Sequence, residues 1–282
     1  MLRRNWLGTM VQVLFFFGGL YVLVLLAAIF IQDKMVFPGG RNIWRTPESY
    51  GWPFEEVRVS VGSETTHGWF IPLENARATI LFSHGNGGTI ADRLDMVEMF
   101  RDLKCNVLLY DYGGYGLSSG RPSEQRCYAD VSAMYDFLVT EKHISPSHII
   151  AFGESLGGAV AIDLASKREC GGVVVLATFL SAIKVGQEAF PFLPVRLFLR
   201  HRFVSEAKMK DIHAPILIFH SPDDEIIAFH HGEDLFRLAN EPKTFVPIRG
   251  GHNDGFYLSR NQITSALVNF LGAFFPAAPP SE

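Results

Sequence analysis

Charged side chains are scarce in this sequence: they make up 19% of its 282 residues and leave a net charge of −4 at pH 7. A chain with so little charge and so many apolar residues is expected to fold rather than stay disordered. It has no stripe of basic residues, which argues against nucleic acid as a partner.

Cysteine is also rare. Cys105, Cys127 and Cys170 are scattered, without a Cys-x-x-Cys pair or a histidine at metal-ligand spacing. This pattern argues against a zinc site and against a disulfide framework, although one pair of cysteines could still form a bridge. We therefore expect no metal.

An apolar N-terminal run lies at 10–31, where Gln12 is the only clearly polar side chain. As a helix this run reaches roughly 33 Å, enough to cross a hydrocarbon core of ~30 Å. We expect a transmembrane helix at 10–31 after a short basic N-terminus at 1–9. A cleaved signal peptide, favoured by Arg3 and Arg4, and a buried core helix are the alternatives. The run is longer than a typical signal peptide core, and no clear cleavage site follows it.

The basic residues near the run do not decide its orientation, because they lie on both sides of it: Arg3 and Arg4 before, and Lys34, Arg41 and Arg45 after. A long domain that follows an N-terminal anchor is often placed on the non-cytoplasmic side. That side is our expectation for the C-terminal domain.

The rest of the chain alternates between strand and helix patterns. A polar and aromatic connector at 32–54 precedes one domain at 55–275, and 276–282 forms a tail. The patterns predict strands at 56–61, 65–71, 78–83, 106–110, 148–152, 172–176, 215–219 and 244–246. They predict helices at 90–103, 123–140, 155–167, 230–239 and 261–274. This alternation is typical of an α/β fold with a mostly parallel sheet covered by helices on both faces.

A Gly-x-Ser-x-Gly motif, Gly153 to Gly157, lies between the predicted strand at 148–152 and the helix that follows. In this context the serine lies on a tight turn that exposes its hydroxyl at the carboxyl edge of the sheet. Ser155 is therefore the candidate nucleophile, and an ordinary glycine turn is the alternative.

A serine hydroxyl needs an adjacent base, and the base needs a carboxylate that orients it. In this fold the chain order is serine, acid, histidine. Asp224 is the preferred acid, with Asp223 and Glu225 as alternatives on the same loop. His252, on a glycine-flanked loop before the last helix, is the candidate base.

The segment SHGNGG at 83–88 follows the strand at 78–83. Its backbone could bind an oxyanion, with the N–H groups of Asn86 and Leu156 as donors. A generic glycine-rich turn is the alternative, and nucleotide-binding motifs are absent.

These motifs resemble those of the BEM46-like α/β-hydrolases, a group that includes the α/β-hydrolase domain-containing proteins of types 13 and 17. The matching segments are SHGNGG at 83–88, LLYDYGGYGLSSG at 108–120, GESLGGAVA at 153–161, PFLPVRLFLRHRF at 191–203, HSPDDEII at 220–227 and GGHND at 250–254. The resemblance implies an α/β-hydrolase fold and a serine hydrolase that needs no cofactor.

Two positions depart from the family pattern. Gly113 replaces an arginine, so a contact that braces its loop is expected to be missing, and His220-Ser221 replaces a His-Gly pair. The N-terminus also lacks the cysteine cluster of the type 17 proteins, so their activity on palmitoylated proteins is not transferred to this chain.

The sequence therefore predicts a membrane-anchored hydrolase of carboxylic esters or thioesters. A serine peptidase of the same fold and a non-catalytic membrane-anchored binding protein are the alternatives. Aromatic and aliphatic residues at 178–211 predict a small apolar cap over an acyl pocket that could accept a lipid-like substrate. Simple packing of a short helix on the sheet would explain them equally well.

Overall fold

The computed structural model describes residues 6–276, so parts of the predicted N-terminus and tail, 1–5 and 277–282, lie outside it. One sheet of eight strands forms the centre of the domain. The strands are β1 (Glu55–Val61), β2 (Glu64–Ile71), β3 (Ala78–Ser83), β4 (Cys105–Tyr110), β5 (Ile149–Glu154), β6 (Gly172–Leu176), β7 (Ile216–His220) and β8 (Lys243–Pro247).

The strand order across the sheet is β1-β2-β4-β3-β5-β6-β7-β8. β2 is antiparallel to both β1 and β4, whereas all other neighbours are parallel. The antiparallel pair β1 and β2 turns at Gly62, whose φ of +64° suits a residue without a side chain. The predicted α/β-hydrolase fold is confirmed, and each predicted strand is present within two residues of its expected ends.

Helices cover both faces of the sheet. They are α1 (Trp6–Val36), α2 (Leu94–Asp102), α3 (Glu124–Thr140), α4 (Leu156–Ala165), α5 (Ala182–Ala189), α6 (Val195–Phe198), α7 (His230–Leu238), α8 (Gly255–Leu258) and α9 (Arg260–Phe274). α3, α4 and α7 pack into one buried apolar cluster, and α2 and α9 pack into the other. Because strand side chains alternate between faces, neighbouring residues of β2 to β8 enter opposite clusters.

α1 is apolar along most of its length and long enough to cross a membrane, and none of its most apolar stretch is buried against the rest of the protein. A core helix of a globular domain would be mostly buried instead. The helix continues past the predicted span to Val36, through Gln32 and Asp33, which both contact the domain.

The residues at 178–211 differ from the sequence prediction in detail. They form two short helices, α5 and α6, linked by a segment that contains Pro191 and Pro194. Helices as short as four and eight residues give little periodic signal in a sequence, and α8 was missed for the same reason.

Candidate active site

Ser155 lies between β5 and α4 with φ +52° and ψ −117°, a strained backbone conformation for a residue with a side chain. The turn is crowded. A Cβ atom at Gly153 would lie 2.2 Å from the carbonyl oxygen of Gly157, and one at Gly157 would lie 1.9 Å from that of Ser83. Both motif glycines are therefore required by close backbone approach, and the turn presents the Ser155 hydroxyl at the carboxyl edge of the sheet.

The structure brings Ser155, His252 and Asp224 together, although they come from three distant loops. Ser155 Oγ lies 2.9 Å from His252 Nε2, and His252 Nδ1 lies 2.8 Å from Asp224 Oδ2. In such a series of hydrogen bonds the imidazole can take the hydroxyl proton while the carboxylate orients the ring and stabilises its charged form. The arrangement is therefore capable of acyl transfer through a serine nucleophile.

Asp224 is the carboxylate in contact with the imidazole. Its Oδ1 accepts hydrogen bonds from the N–H groups of Ile226, at 3.0 Å, and Ile227, at 2.8 Å. Burial alone would raise the pKa of Asp224, but these bonds and the one from His252 outweigh it and hold the pKa below its ordinary value. Asp224 is thus kept ionised.

The two alternative acids lie elsewhere. Glu225 accepts a hydrogen bond from the backbone N–H of His252 at 3.0 Å and so braces the histidine loop. Asp223 is exposed, and its side chain makes no hydrogen bond or ion pair within the described residues. Of the three carboxylates, Asp224 alone among the described contacts reaches the imidazole ring.

Asn86 and Leu156 lie on the wall of the same cavity as Ser155 and His252. The Asn86 carbonyl accepts a hydrogen bond from the Tyr115 hydroxyl at 2.9 Å, and its side-chain amide donates to the Val36 carbonyl at 3.1 Å. These contacts hold Asn86 through both its backbone and its side chain. Leu156 is the first residue of α4, where backbone N–H groups have no partner within the helix.

An ion pair that the sequence did not predict lies next to the loop at 83–88. Arg93 Nε lies 2.6 Å from Glu154 Oε2, and the Arg93 guanidinium also donates to the Gly87 carbonyl at 3.2 Å. The N–H of Gly85 points to the same Glu154 oxygen at 3.4 Å. The pair links the residue before Ser155 to the loop at 83–88. Burial would raise the pKa of Glu154, but the positive charge of Arg93 holds it below its ordinary value.

His220 supports the loop that carries Asp224, at a position where this chain departs from the family it resembles. Its buried ring donates from Nε2 to the Ile227 carbonyl at 2.8 Å. Burial lowers the pKa of His220, so the ring stays neutral. A Cβ atom at Gly232 would lie 2.6 Å from His220 Nδ1, which shows how tightly α7 packs against this ring.

The loop at Gly113 is braced despite the missing arginine. Arg126 of α3 occupies the adjacent space, and a Cβ atom at Gly113 would lie 2.7 Å from its Nε. Arg126 Nε lies 2.7 Å from Asp130 Oδ1, and Asp130 Oδ2 accepts a hydrogen bond from the Gly113 N–H at 2.8 Å. A guanidinium from another element therefore occupies this space, which the sequence pattern alone did not indicate.

An apolar cavity of about 650 Å³ leads away from Ser155. One wall comes from α1, through Val24, Ala27, Ala28, Ile31, Gln32, Met35 and Val36. The opposite wall comes from α5, α6 and their connecting segment, with Phe190, Phe192 and Phe198 among its residues. Its volume lies within the ~300–1,000 Å³ of typical small-molecule sites. The participation of α1 could not be read from its uniformly apolar sequence.

Glu188, His230 and His231 form a group whose ligand atoms lie close enough to hold a metal ion. His231 Nδ1 accepts the Leu180 N–H at 3.3 Å, so its Nε2 carries the proton and donates to Glu188 Oε2 at 3.2 Å. In this arrangement Glu188 and His231 form a hydrogen-bonded link between α5 and α7, and His230 Nε2 lies 3.2 Å from Glu188 Oε1. The predicted lack of a metal remains a prediction.

Comparison with known proteins places the chain in context. Residues 74–206 match the serine aminopeptidase S33 family of hydrolases. An uncharacterised protein of Mycobacterium tuberculosis is 36% identical over 207 residues, which cover 72% of this chain and 74% of that protein. The α/β-hydrolase domain-containing protein 17B of Xenopus tropicalis is 37% identical over 203 residues, 69% of each chain.

Among solved structures, an esterase of Pyrococcus furiosus superposes with a TM-score of 0.69 at 19% identity, covering 82% of this chain and 96% of the esterase. At 19% sequence identity this similarity shows a shared fold and carries no statement about activity. The sequence relatives carry the family assignment, and they agree with the resemblance expected from the motifs.

Proposed function

This chain belongs to the family of the α/β-hydrolase domain-containing proteins 17B and 17C, and we propose that it is a membrane-anchored serine hydrolase of carboxylic esters or thioesters. One observation carries the proposal: a continuous hydrogen-bonded chain from Asp224 through His252 to the Ser155 hydroxyl.

The proposed reaction has two halves. His252 Nε2 removes the Ser155 proton as Oγ attacks the carbonyl carbon, and Asp224 stabilises the imidazolium. The N–H groups of Asn86 and Leu156 bind the developing oxyanion. The imidazolium then protonates the leaving group, an alcohol or a thiol. A water molecule, deprotonated by His252, then attacks the acyl-enzyme carbonyl; the bond to Ser155 Oγ breaks, the imidazolium returns the proton to Oγ, and the acyl group leaves as a carboxylic acid. These steps require no metal or organic cofactor.

The apolar cavity supports an acyl group as the part of the substrate that enters the site, since hydrophobic walls leave little to recognise except hydrocarbon. The exposed apolar length of α1 supports membrane anchoring. The segment 178–211 then acts as a cap over the acyl pocket. We keep the non-cytoplasmic side as the proposed location of the domain, which protease protection in sealed vesicles would test.

A fluorophosphonate probe tests the serine chemistry directly. Wild-type protein is expected to be labelled, whereas Ser155→Ala is not. Ser166→Ala, in the turn that ends α4, is a matched control that keeps labelling. Labelling of Ser155→Ala at the wild-type rate would contradict the assignment of the nucleophile. Unlabelled wild type would instead favour the non-catalytic binding protein.

A serine peptidase is the second candidate, because the matching family description names a serine aminopeptidase. An aminopeptidase needs an acidic group that binds the free α-ammonium of its substrate. Among residues 6–276, no carboxylate lines the apolar cavity, whereas Asp92 and Glu154 line a smaller cavity that also reaches Ser155 and His252. Paired acyl esters and aminoacyl amides of equal size separate the two functions: turnover of the amides alone would favour the peptidase.

A further inference from the structure

α1 and the cap are joined by polar contacts along a considerable length of the helix. The Tyr21 hydroxyl donates to the Phe192 carbonyl at 2.9 Å. Near the other end, the Gln32 side chain donates to the Phe198 carbonyl at 3.4 Å and accepts the Arg200 N–H at 2.8 Å. Tyr21 and Gln32 are roughly 16 Å apart along the helix axis. The cap therefore extends along α1 rather than touching it at one point.

This contact sets the depth of the cap in a membrane. Tyr21 lies in the middle of the apolar run at 10–31, and the part of the run before it, 10–20, is only about 16 Å long. A hydrocarbon core is ~30 Å thick. When α1 crosses the bilayer, the core must therefore extend past Tyr21 toward Gln32. The tip of the cap at Phe192 then lies below the surface of the leaflet.

The surface of the cap fits that position. Phe192 and Leu197 are 63% and 81% exposed, which is unusual for large apolar side chains beside a pocket. Arg196 is exposed in the same segment, where a long basic side chain can reach lipid head groups while its stem stays in apolar surroundings, whereas Arg200 is paired with Asp33 of α1 at 3.1 Å.

The backbone of the cap also fits an apolar medium, where unpaired polar groups are costly. Pro191 and Pro194 have no N–H group to satisfy. The carbonyls of Pro191, Phe192 and Phe198 accept side-chain hydrogen bonds. Several N–H groups between 190 and 199 are bonded to nearby carbonyls, among them those of Phe190, Leu193, Val195, Leu197 and Leu199.

We propose that the part of the cap at 190–199 is immersed in the same leaflet as the C-terminal half of α1, so that acyl chains pass from the bilayer into the cavity and reach Ser155 without crossing water. This role rests on the hydrolase function proposed above and deepens it: the substrate is an ester or thioester whose acyl chain resides in the membrane. The cavity between α1 and the cap is the passage, and Ser155 lies at its inner end.

The same geometry makes α1 part of the specificity site. Ala28 is half-buried at the cavity wall, where a small side chain leaves room for hydrocarbon between the helix and the cap. Leu26, two residues earlier, is 47% exposed and does not line the cavity. A large side chain at 28 should therefore shorten the accepted acyl chain, whereas one at 26 should not.

Immersion is tested with spin labels on the full chain in phosphatidylcholine vesicles. The native cysteines are buried, so labels at Leu197→Cys and Leu238→Cys can be introduced singly. Leu238, at the end of α7, is a comparably apolar exposed control. We expect the label at 197 to be more accessible to oxygen, which concentrates in lipid, than to a water-soluble nickel chelate. The label at 238 should be more accessible to the chelate. Equal access of the chelate to both labels would overturn the immersion.

The passage is tested with Ala28→Phe and its control Leu26→Phe. The ratio of kcat/KM for a dodecanoyl ester to that for an acetyl ester should fall at least tenfold in Ala28→Phe and stay at the wild-type value in Leu26→Phe. Equal ratios in the two variants would overturn the role of α1. If the fluorophosphonate probe does not label wild-type protein, the hydrolase function is refuted. The spin-label result would still decide the position of the cap.

Discussion

Glu154 and Arg93 form a short ion pair, with 2.6 Å between Oε2 and Nε, although 61 positions separate them in the chain. Glu154 directly precedes Ser155, and Arg93 contacts the loop at 83–88 through the Gly87 carbonyl. The pair therefore couples the position of the proposed nucleophile to the position of the proposed oxyanion donor.

Replacing Arg93 by methionine should lower kcat more than it raises KM, because the loop loses its anchor while the cavity is unchanged. An oxyanion donor is typically worth ~10²–10³ in turnover, so we expect a loss of about 10–100-fold for a displaced one. Steady-state kinetics with an acetyl ester measures this. An unchanged kcat would show that the pair does not position the loop.

The same substitution leaves Glu154 mostly buried without its partner, which typically costs about 3–5 kcal/mol. The double variant Arg93→Met with Glu154→Gln should recover most of that stability without recovering kcat. Recovery of both by the double variant would mean that the kinetic loss came from misfolding alone.

Asp224→Asn should lower kcat by about 10⁴-fold, since an amide cannot stabilise the imidazolium and favours the wrong tautomer of His252. Asp223→Asn is the matched control on the same loop, and its exposed side chain should leave kcat within about twofold of wild type. Measured kcat values for the two variants distinguish the acids. A larger loss in the Asp223 variant would reverse their assignment.

Stability should depend on pH through Asp224. Its folded pKa lies below the ordinary value of 3.8, so its stabilising contribution is present in full above that value. The contribution is lost as pH falls through the lower folded pKa. The difference in unfolding free energy between wild type and Asp224→Asn should therefore shrink as the pH falls below about 3.8. Urea unfolding of the full chain in detergent at several pH values measures it, and a constant difference would contradict the shift.

The eight strands could be predicted from sequence because each is a short run of apolar or alternating residues bounded by turn residues. The order of serine, acid and histidine loops could be predicted for a similar reason, since each loop follows a recognisable strand. Contacts between distant segments could not. Nothing local to Arg93 indicates Glu154 as its partner, and nothing within the uniformly apolar α1 distinguishes the face of Ala28 from that of Leu26.

Gly113 should not tolerate a side chain while Arg126 occupies the adjacent space. Arg126 is held by Asp130, Thr66 and Glu64, so it cannot move away freely. We expect Gly113→Ala to destabilise the fold by about 1–3 kcal/mol. Gly272→Ala, in α9 with open space around its Cβ position, should be neutral or stabilising by about 0.5–1 kcal/mol. Equal changes in unfolding free energy, relative to wild type, for the two variants would contradict the packing at Gly113.

Gln32 should hold the cap closed against α1. It is 3% exposed, and Gln32→Leu would leave the Arg200 N–H and the Phe198 carbonyl without this partner. An unpaired buried group costs about 1–3 kcal/mol, so the population of the open form of the cap should rise by about tenfold. Trypsin cleavage at Arg196 and Arg200 in the detergent-solubilised full chain reports that population, because cleavage requires local opening.

Gln12→Leu is the matched control for this experiment, since it makes the same substitution in α1 at an exposed position away from the cap. Its cleavage rate should equal that of wild type. If Gln32→Leu were cleaved no faster than Gln12→Leu, the cap would be held by its apolar packing and its other contacts with α1, such as the Tyr21 hydrogen bond and the pair of Arg200 with Asp33. Faster cleavage confined to Gln32→Leu would identify this amide as a contact that ties α1 to the wall of the apolar cavity.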